Sequence, residues 1–219
     1  MGAVLHVVSD RRCEGVNLED ALVSTAAGGA DVLQIREKRA PAADTYTLCQ
    51  AIASRCRELA SPPRLFVNDR LDIALAVDAS GIHLSSRSLP VAVARRVLER
   101  ANRMGMIGVS VHTLEEAREA ASAGADYLTF GHIFASESHR GQPPRGLLVL
   151  TRVVDAVNVP VIAIGGIDVT NVGPVLATGC AGVAVIGAVL GSPNVAQATI
   201  ALKAQMAAAS TPPKVAFPS

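Results

Sequence analysis

The sequence predicts a single (β/α)8 barrel, and three observations predict it. Short runs rich in β-branched residues alternate with Ala- and Leu-rich helical windows, eight of each from end to end. Segments such as VIAIGG and GVAVIGAV are apolar throughout instead of alternating, as strands buried on both faces should be. The phrases GGADVLQI, DASGIHL, AGADYLTF and GCAGVAVI each carry a small-residue turn, a short gap and then a strand. Such a turn ends a helix in a left-handed cap and redirects the chain into the next strand. Eight unbroken units close into a barrel, whereas a doubly wound open sheet usually stops at about five or six strands.

The expected strands are Leu5–Asp10, Val32–Glu37, Arg64–Asp69, Gly81–Leu84, Ile107–Val111, Tyr127–Gly131, Val161–Gly166 and Gly182–Ala188. The helical windows between and after them are 18–27, 44–60, 71–77, 90–102, 114–123, 146–157, 170–178 and 193–207. Residues 1–209 make one catalytic domain in this reading. The last ten residues, STPPKVAFPS, hold three prolines and no periodicity, which predicts a flexible tail over 210–219.

Composition agrees. Half of the 219 residues are hydrophobic and 18% are charged, enough apolar material for one large core. Aromatic residues make up only 3%, so that core is aliphatic, as a parallel sheet prefers. The net charge is +1 with scattered Lys and Arg, and no basic stripe points to nucleic acid. Cys13, Cys49, Cys56 and Cys180 fall at no metal-ligand spacing and read as small core hydrophobes in a reducing compartment. Residues Met1–Asp10 lack a charged leader before an apolar run, and no apolar stretch reaches the roughly 18 residues of a membrane span. A soluble, cytoplasmic protein without a membrane partner is expected, and the Ala- and Val-rich exterior leaves room for a homodimer.

In this fold the catalytic mouth lies at the C-terminal strand ends. Strand 2 ends in Gln34-Ile35-Arg36-Glu37-Lys38, where alternation puts Gln34, Arg36 and Lys38 on one face. Asn68-Asp69-Arg70 ends strand 3, and His83 then Ser85-Ser86-Arg87 end strand 4. Ser110-Val111-His112 ends strand 5, and strand 6 runs into Gly131-His132-Ile133-Phe134. Strand 7 ends in Gly165-Gly166 and strand 8 in Ile186-Gly187. Backbone N–H groups converging there, with glycine allowing close approach, read as a phosphate site. Each choice has a structural alternative. Arg36 and Lys38 could pair with Glu37, Asp69 with Arg70 or Arg87, and His132 could be a satisfied core residue. His83 reads as structural and His112 as a turn or helix-start residue.

The chain resembles the thiamine phosphate synthase superfamily up to about residue 207. The matching phrases are QIREK (34–38), VNDRLDIALAV (67–77), GIHL (81–84), GVSVHTLEEA (108–117), GADYLTFGHIF (124–134), PVIAIGGI (160–167) and GVAVIGAV (182–189). The resemblance implies one of two activities. Synthases of the superfamily join a pyrimidine pyrophosphate to a thiazole phosphate with a magnesium ion. Thiazole tautomerases (TenI-type) aromatise a phosphorylated dihydrothiazole carboxylate.

A synthase wants carboxylates for its Mg2+, in a pattern GVHLGQDD after strand 4. Here Arg87 and Ser88 stand where the acids would be, with Asp69 alone keeping the other metal position. The strand-6 loop reads Gly131-His132-Ile133-Phe134-Ala135-Ser136-Glu137-Ser138-His139, with His139 in place of the synthase lysine. The tautomerase branch carries GHVF in that loop and a later Arg-Gly, matched by Arg145-Gly146, so the resemblance assigns acid/base catalysis to His132. On this reading the protein is a thiazole tautomerase, an isomerase with no metal or organic cofactor. A histidine shuttles the proton, while Arg36, Lys38, Asn68, Ser110, Gly165, Gly166, Ile186 and Gly187 bind the small phosphorylated thiazole. The alternatives are a thiamine phosphate synthase and a non-catalytic thiazole phosphate binder. The loop over 135–146, with Gly141, Pro143 and Pro144, reads as a candidate lid.

Overall fold

A computed structural model describes residues 2–10, 17–137, 141–209 and 211–218. Cys13, Ser138 and His139 lie outside the described residues. The strands are β1 (Val4–Val8), β2 (Val32–Ile35), β3 (Arg64–Asn68), β4 (Gly81–Leu84), β5 (Met106–Val111), β6 (Tyr127–Gly131), β7 (Val161–Ile164) and β8 (Gly182–Val185). Each pairs in parallel with the next, and β8 pairs back onto β1, closing the barrel as the alternation predicts. The helices are α1 (Leu18–Ala27), α2 (Ala42–Cys56), α3 (Leu71–Ala76), α4 (Val91–Arg100), α5 (Leu114–Ser122), α6 (Gly146–Ala156), α7 (Val172–Leu176), α8 (Gly187–Leu190) and α9 (Val195–Ala208). Among the described residues no helix is long and apolar enough to cross a membrane.

Several strands end earlier than the sequence suggests. Arg36, Asp69 and Gly165 leave the ladder because the chain turns at the mouth, where Asp69 takes φ 62° and Gly165 φ 101°. The end of the expected eighth strand is instead α8, since Ile186 breaks the extended backbone at ψ −85°.

The recurring turn phrases do more than cap helices. Asp31, in GGADV, accepts the backbone N–H of Leu5 at 2.6 Å and the Lys203 ammonium at 2.7 Å. Asp126, in AGADY, accepts the N–H of Ile107 at 2.6 Å and the Arg95 guanidinium at 2.6 Å. In both, one carboxylate at the foot of a strand holds the foot of the strand before it and anchors an outer helix. Charge-assisted bonds to half-buried groups of this kind are the stronger ones.

Alternation divides the side chains cleanly. Leu33, Ile35, Leu65, Val67, Leu128, Phe130, Ala163 and Val183 face outward into the helices, within the large outer core. Val8, Val32, Phe66, Tyr127, Ile162 and Ala184 fill the inside of the barrel. Two rings fit there because their neighbours have no side chain: a Cβ at Gly81 would run into Phe66, and one at Gly108 into Tyr127. Cys49, Cys56 and Cys180 are buried and free, and burial pushes the Cys49 thiol up to about 12, so these are inert core groups.

The tail does not hang loose. Phe217 is 4% exposed and packs edge-on to Tyr127 and His6, with ring centroids 5.2 and 5.0 Å apart. The Arg64 guanidinium lies 4.8 Å over the Phe217 ring and also donates to the Pro218 carbonyl. Lys214 N–H donates to the Gly179 carbonyl at 2.9 Å. The barrel floor is an aromatic hole, and Phe217 is the side chain that covers it, which is why 211–218 are docked where the sequence suggests flexibility.

Truncating that side chain should therefore be felt throughout the domain. Phe217→Ala is expected to lower unfolding stability by about 3–5 kcal/mol, in the range for buried aromatic truncations. Urea unfolding checks it, and a variant as stable as the parent would show that the tail contributes nothing to the core.

Candidate active site

The C-terminal strand ends surround a cavity of about 210 Å³ lined by Gln34, Arg36, Lys38, Asn68, His83, Ser85, Ser86, Arg87, Ser110, His112, Thr129, Ile164 and Ile186, among others. A larger cleft of about 320 Å³ lies near the foot of β4, between Asp78, Ala79, Leu98 and Met104. The mouth is the better candidate despite its size, because polar groups from five strands converge there.

Register explains the convergence. Asn68 sits beside His83 in the β3–β4 pairing, and Ser110 beside Thr129 in the β5–β6 pairing. The same inward row therefore carries Gln34, Asn68, His83, Ser110 and Thr129. Gln34 Nε2 donates to Asn68 Oδ1 at 2.8 Å, and Asn68 Nδ2 donates to Asp69 Oδ2 at 2.7 Å. Gln34 Oε1 is buried without a hydrogen-bond partner, so a ligand donor reaching this depth would satisfy it.

Asp69 is held from every side. Its Oδ1 accepts the Ser85 N–H at 3.1 Å and the Ser88 hydroxyl, while Oδ2 takes the Asn68 amide. Partial burial pushes its pKa up, but the hydrogen bonds from Ser88, Ser85 and Asn68 outweigh this and leave it below the usual carboxylate range. No ion pair to Arg70 forms, since Arg70 binds Asp72 at 2.5 Å.

Beneath the cavity floor, Tyr127 Oη meets His83 Nδ1 at 3.0 Å, and His83 Nε2 meets Ser110 Oγ at 2.8 Å. Burial is the main cause of the low His83 pKa, about 4, with Asp69 raising it and Arg36 lowering it. The imidazole is neutral at pH 7, with one donor and one acceptor nitrogen. Burial raises the Tyr127 pKa, so the phenol keeps its proton, and its natural acceptor is His83 Nδ1. That leaves Nε2–H to donate to Ser110. Thr129 also donates to Ser110 Oγ, at 3.3 Å. With its oxygen accepting from two sides, the Ser110 hydrogen turns toward the cavity as a donor.

Of the expected site residues, Arg36, Lys38, Asn68, Ser110 and Ile186 line this cavity, while His132, Gly165, Gly166 and Gly187 do not. The His132 ring is 2% exposed, with Nε2 3.3 Å from the Gln142 carbonyl. Gly165 and Gly166 give clearance to the strand-6 loop: a Cβ at Gly165 would strike the His132 Cβ, and one at Gly166 the Ala135 carbonyl. That loop hydrogen-bonds across to β7 through Ile133 N–H to Ile164 O and Phe134 N–H to Gly165 O, each 3.0 Å. Arg145 N–H in turn donates to the His132 carbonyl at 2.9 Å. The sequence reading gave no ligand role to Gln34, His83, Arg87, His112 or Thr129. Counting by twos from Arg36, Ser85 and Ser110 along their strands would have found Gln34, His83, Arg87 and His112. His112 does begin a helix turn, its N–H bonding Glu116 at 2.6 Å, but its Nδ1 also meets the Gly131 carbonyl at the rim.

Comparison with known proteins then bears on activity. The family described as thiamine monophosphate synthase (TMP-TENI) matches residues 5–189. A thiamine-phosphate synthase of Roseiflexus sp. (strain RS-1) is 41% identical over 95% of this chain and 87% of its own length. One from Moorella thermoacetica is 43% identical over 91% of this chain and 93% of its own. The solved thiamine phosphate pyrophosphorylase of Pyrococcus furiosus superposes with a TM-score of 0.85 at 37% identity, covering 95% of this chain and 97% of that one. These relatives overturn the tautomerase reading and the isomerase class with it. The acid/base role expected of His132 was inferred from that activity, and His132 does not line the cavity. Arg87 and Ser88 at the acidic positions, His139 at the lysine position and the likeness of His132 and Arg145-Gly146 to the tautomerase pattern are local departures, and synthase relatives about 40% identical over nearly the whole chain outweigh them.

The buried histidines make acid sensitivity measurable. His83 and His6 titrate near 6.5 when unfolded, but in the folded barrel at about 4 and about 3, chiefly because burial disfavours the charged rings. Between roughly pH 4 and 6.5 the unfolded chain binds more protons, so stability falls as pH drops through that window and is flat above it. The expected loss between pH 7 and 5 is on the order of 1–2 kcal/mol per histidine. Guanidinium unfolding of the parent and of His83→Gln checks it. Parallel pH profiles for the two proteins would count against the assignment.

Proposed function

We propose that this chain, which belongs to the thiamine monophosphate synthase family, is a transferase that joins a pyrimidine pyrophosphate to a thiazole phosphate and releases pyrophosphate. In this reaction the bond from the pyrimidine's methylene carbon to the pyrophosphate oxygen breaks, and a bond from that carbon to the thiazole nitrogen forms. The leaving group gains negative charge as the bond breaks, so preorganised donors and cations at its oxygens accelerate the step.

One observation of the site supports this reading best. Among the described residues the cavity lining combines three cationic side chains, Arg36, Lys38 and Arg87, with the polar Gln34, Asn68 and Ser110, and holds no carboxylate. That set suits a polyanionic leaving group at the β2–β4 side. Arg36, half-buried at the end of β2, supplies a planar fork for two oxygens, and Lys38 supplies a mobile point charge. Ser110 is oriented as a donor by His83. Asn68, fixed by Gln34 and Asp69, orients the groups beside it. We assign the second phosphate, that of the thiazole, to the backbone at the ends of β7 and β8, around Gly165, Gly166, Ile186 and Gly187. His132 in this reading anchors the strand-6 loop over that end.

The family resemblance implies a magnesium ion, and the residues present do not fit one. A hard divalent cation takes carboxylate oxygens. Asp69 already gives both of its oxygens to Ser85, Ser88 and Asn68, and an arginine stands at position 87. Among the described residues no group of three or more His, Cys, Asp or Glu side chains forms a metal cage.

The test is direct. With both substrates and Mg2+ present, the purified protein is expected to release pyrophosphate and form the joined product in equal amounts. Arg36→Ala should lower kcat/KM about 100-fold, on the order of 3 kcal/mol for a lost charged, bidentate contact. Absence of product from the parent protein would refute the reading.

A further inference from the structure

The misfit at the metal position and the charge of the cavity are two views of one arrangement. We infer that Arg87 takes the place of a divalent cation in this site, so that a pyrophosphate group is held by Arg36, Lys38 and Arg87 without a metal. This rests on the synthase reading for its substrate, but it makes a claim about the site that stands apart from turnover.

The argument begins with the turn after β4. Ser85 and Ser88 close it: Ser85 N–H donates to Ser88 Oγ at 2.8 Å, and the two hydroxyls lie 3.2 Å apart. The Ser85 N–H and the Ser88 hydroxyl both donate to Asp69 Oδ1. Asp69 therefore works as the acceptor that folds the turn: both lone pairs of Oδ1 and one of Oδ2 are engaged, which leaves one direction for an ion that wants several carboxylate oxygens. A carboxylate that binds a metal needs the opposite arrangement, with its oxygens turned to the cavity.

The same turn presents Arg87. Residues 86 and 87 are the exposed apex between the two anchored serines, and Arg87 lines the cavity with Arg36 and Lys38. The charge count matches. A pyrophosphate ester carries roughly three negative charges near neutral pH, and three cationic side chains face the cavity. Among the described residues the lining offers a magnesium ion three cationic side chains and no carboxylate, which disfavours it. A guanidinium loses little in water removal compared with a small divalent ion, and its fork matches phosphate oxygens.

Binding of inorganic pyrophosphate, measured by calorimetry with the full chain, reads this without any turnover. In EDTA the parent protein is expected to bind, and adding Mg2+ should not strengthen binding. Arg87→Ala should weaken it about tenfold or more, and Mg2+ should not restore it. Arg87→Lys should recover part of the loss, because charge is kept and the fork is not. Mn2+ alone, followed by water proton relaxation, should show no saturable site. Arg87 lies exposed in a turn, so these variants keep the fold. Pyrophosphate binding that appears only when Mg2+ is added would overturn the inference, as would an Arg87→Ala protein that binds as the parent does. The synthase reading fails separately, by absence of product from a protein that still binds pyrophosphate.

Discussion

The Tyr127 ring is the piece on which both ends of this barrel depend. It occupies the middle of the interior only because Gly108, on the next strand, has no side chain to block it. Below, its ring packs edge-on to Phe66, His6 and Phe217, with centroids 5.6, 5.5 and 5.2 Å away. Above, its hydroxyl meets His83 and so begins the polar layer. One amphipathic side chain thus separates an apolar floor from a hydrogen-bonded mouth, as a buried tyrosine can when its hydroxyl finds a partner.

That separation accounts for the two buried histidines and their different surroundings. His83 lies on the polar side and has both nitrogens engaged, by Tyr127 and Ser110. His6 lies on the apolar side among aromatic rings, and neither of its nitrogens has a partner. Leaving a buried polar group unpaired costs on the order of 1–3 kcal/mol. The floor tolerates this because the ring's shape and edge contacts fill the space, and Phe217 keeps water from it.

The fold was legible in the sequence because its signals are local: apolar runs, helical windows and small-residue turns need no partner to be recognised. The rim was legible in part, since alternation from Arg36 and Ser110 follows from strand geometry alone. The tail was not legible. Its anchor is a phenylalanine whose partners, His6, Arg64 and Tyr127, come from three distant strands, and three prolines hid it among loop residues. The surroundings of His132 were hidden for a related reason. Its position in the chain is next to the mouth, but its Cα and Cβ lie against Gly165 and its ring nitrogen meets the Gln142 carbonyl, which only three-dimensional packing reveals.

Arginine and serine at positions 87 and 88, where the synthase pattern has acids, remove one way to perform a function without removing the function. A departing pyrophosphate needs compensating positive charge, held in place before the bond breaks. A divalent ion gripped by carboxylates supplies that charge, and so does a guanidinium on a braced turn. The two solutions exclude each other at one position, since the carboxylates that hold a metal would neutralise the arginine. Replacing an acid by Arg87 and an acid by Ser88 is therefore one coupled change. Ser88 ties down the remaining carboxylate, Asp69, and the turn it closes carries the new cation. In the proposed synthase, these substitutions conserve the electrostatics of the reaction.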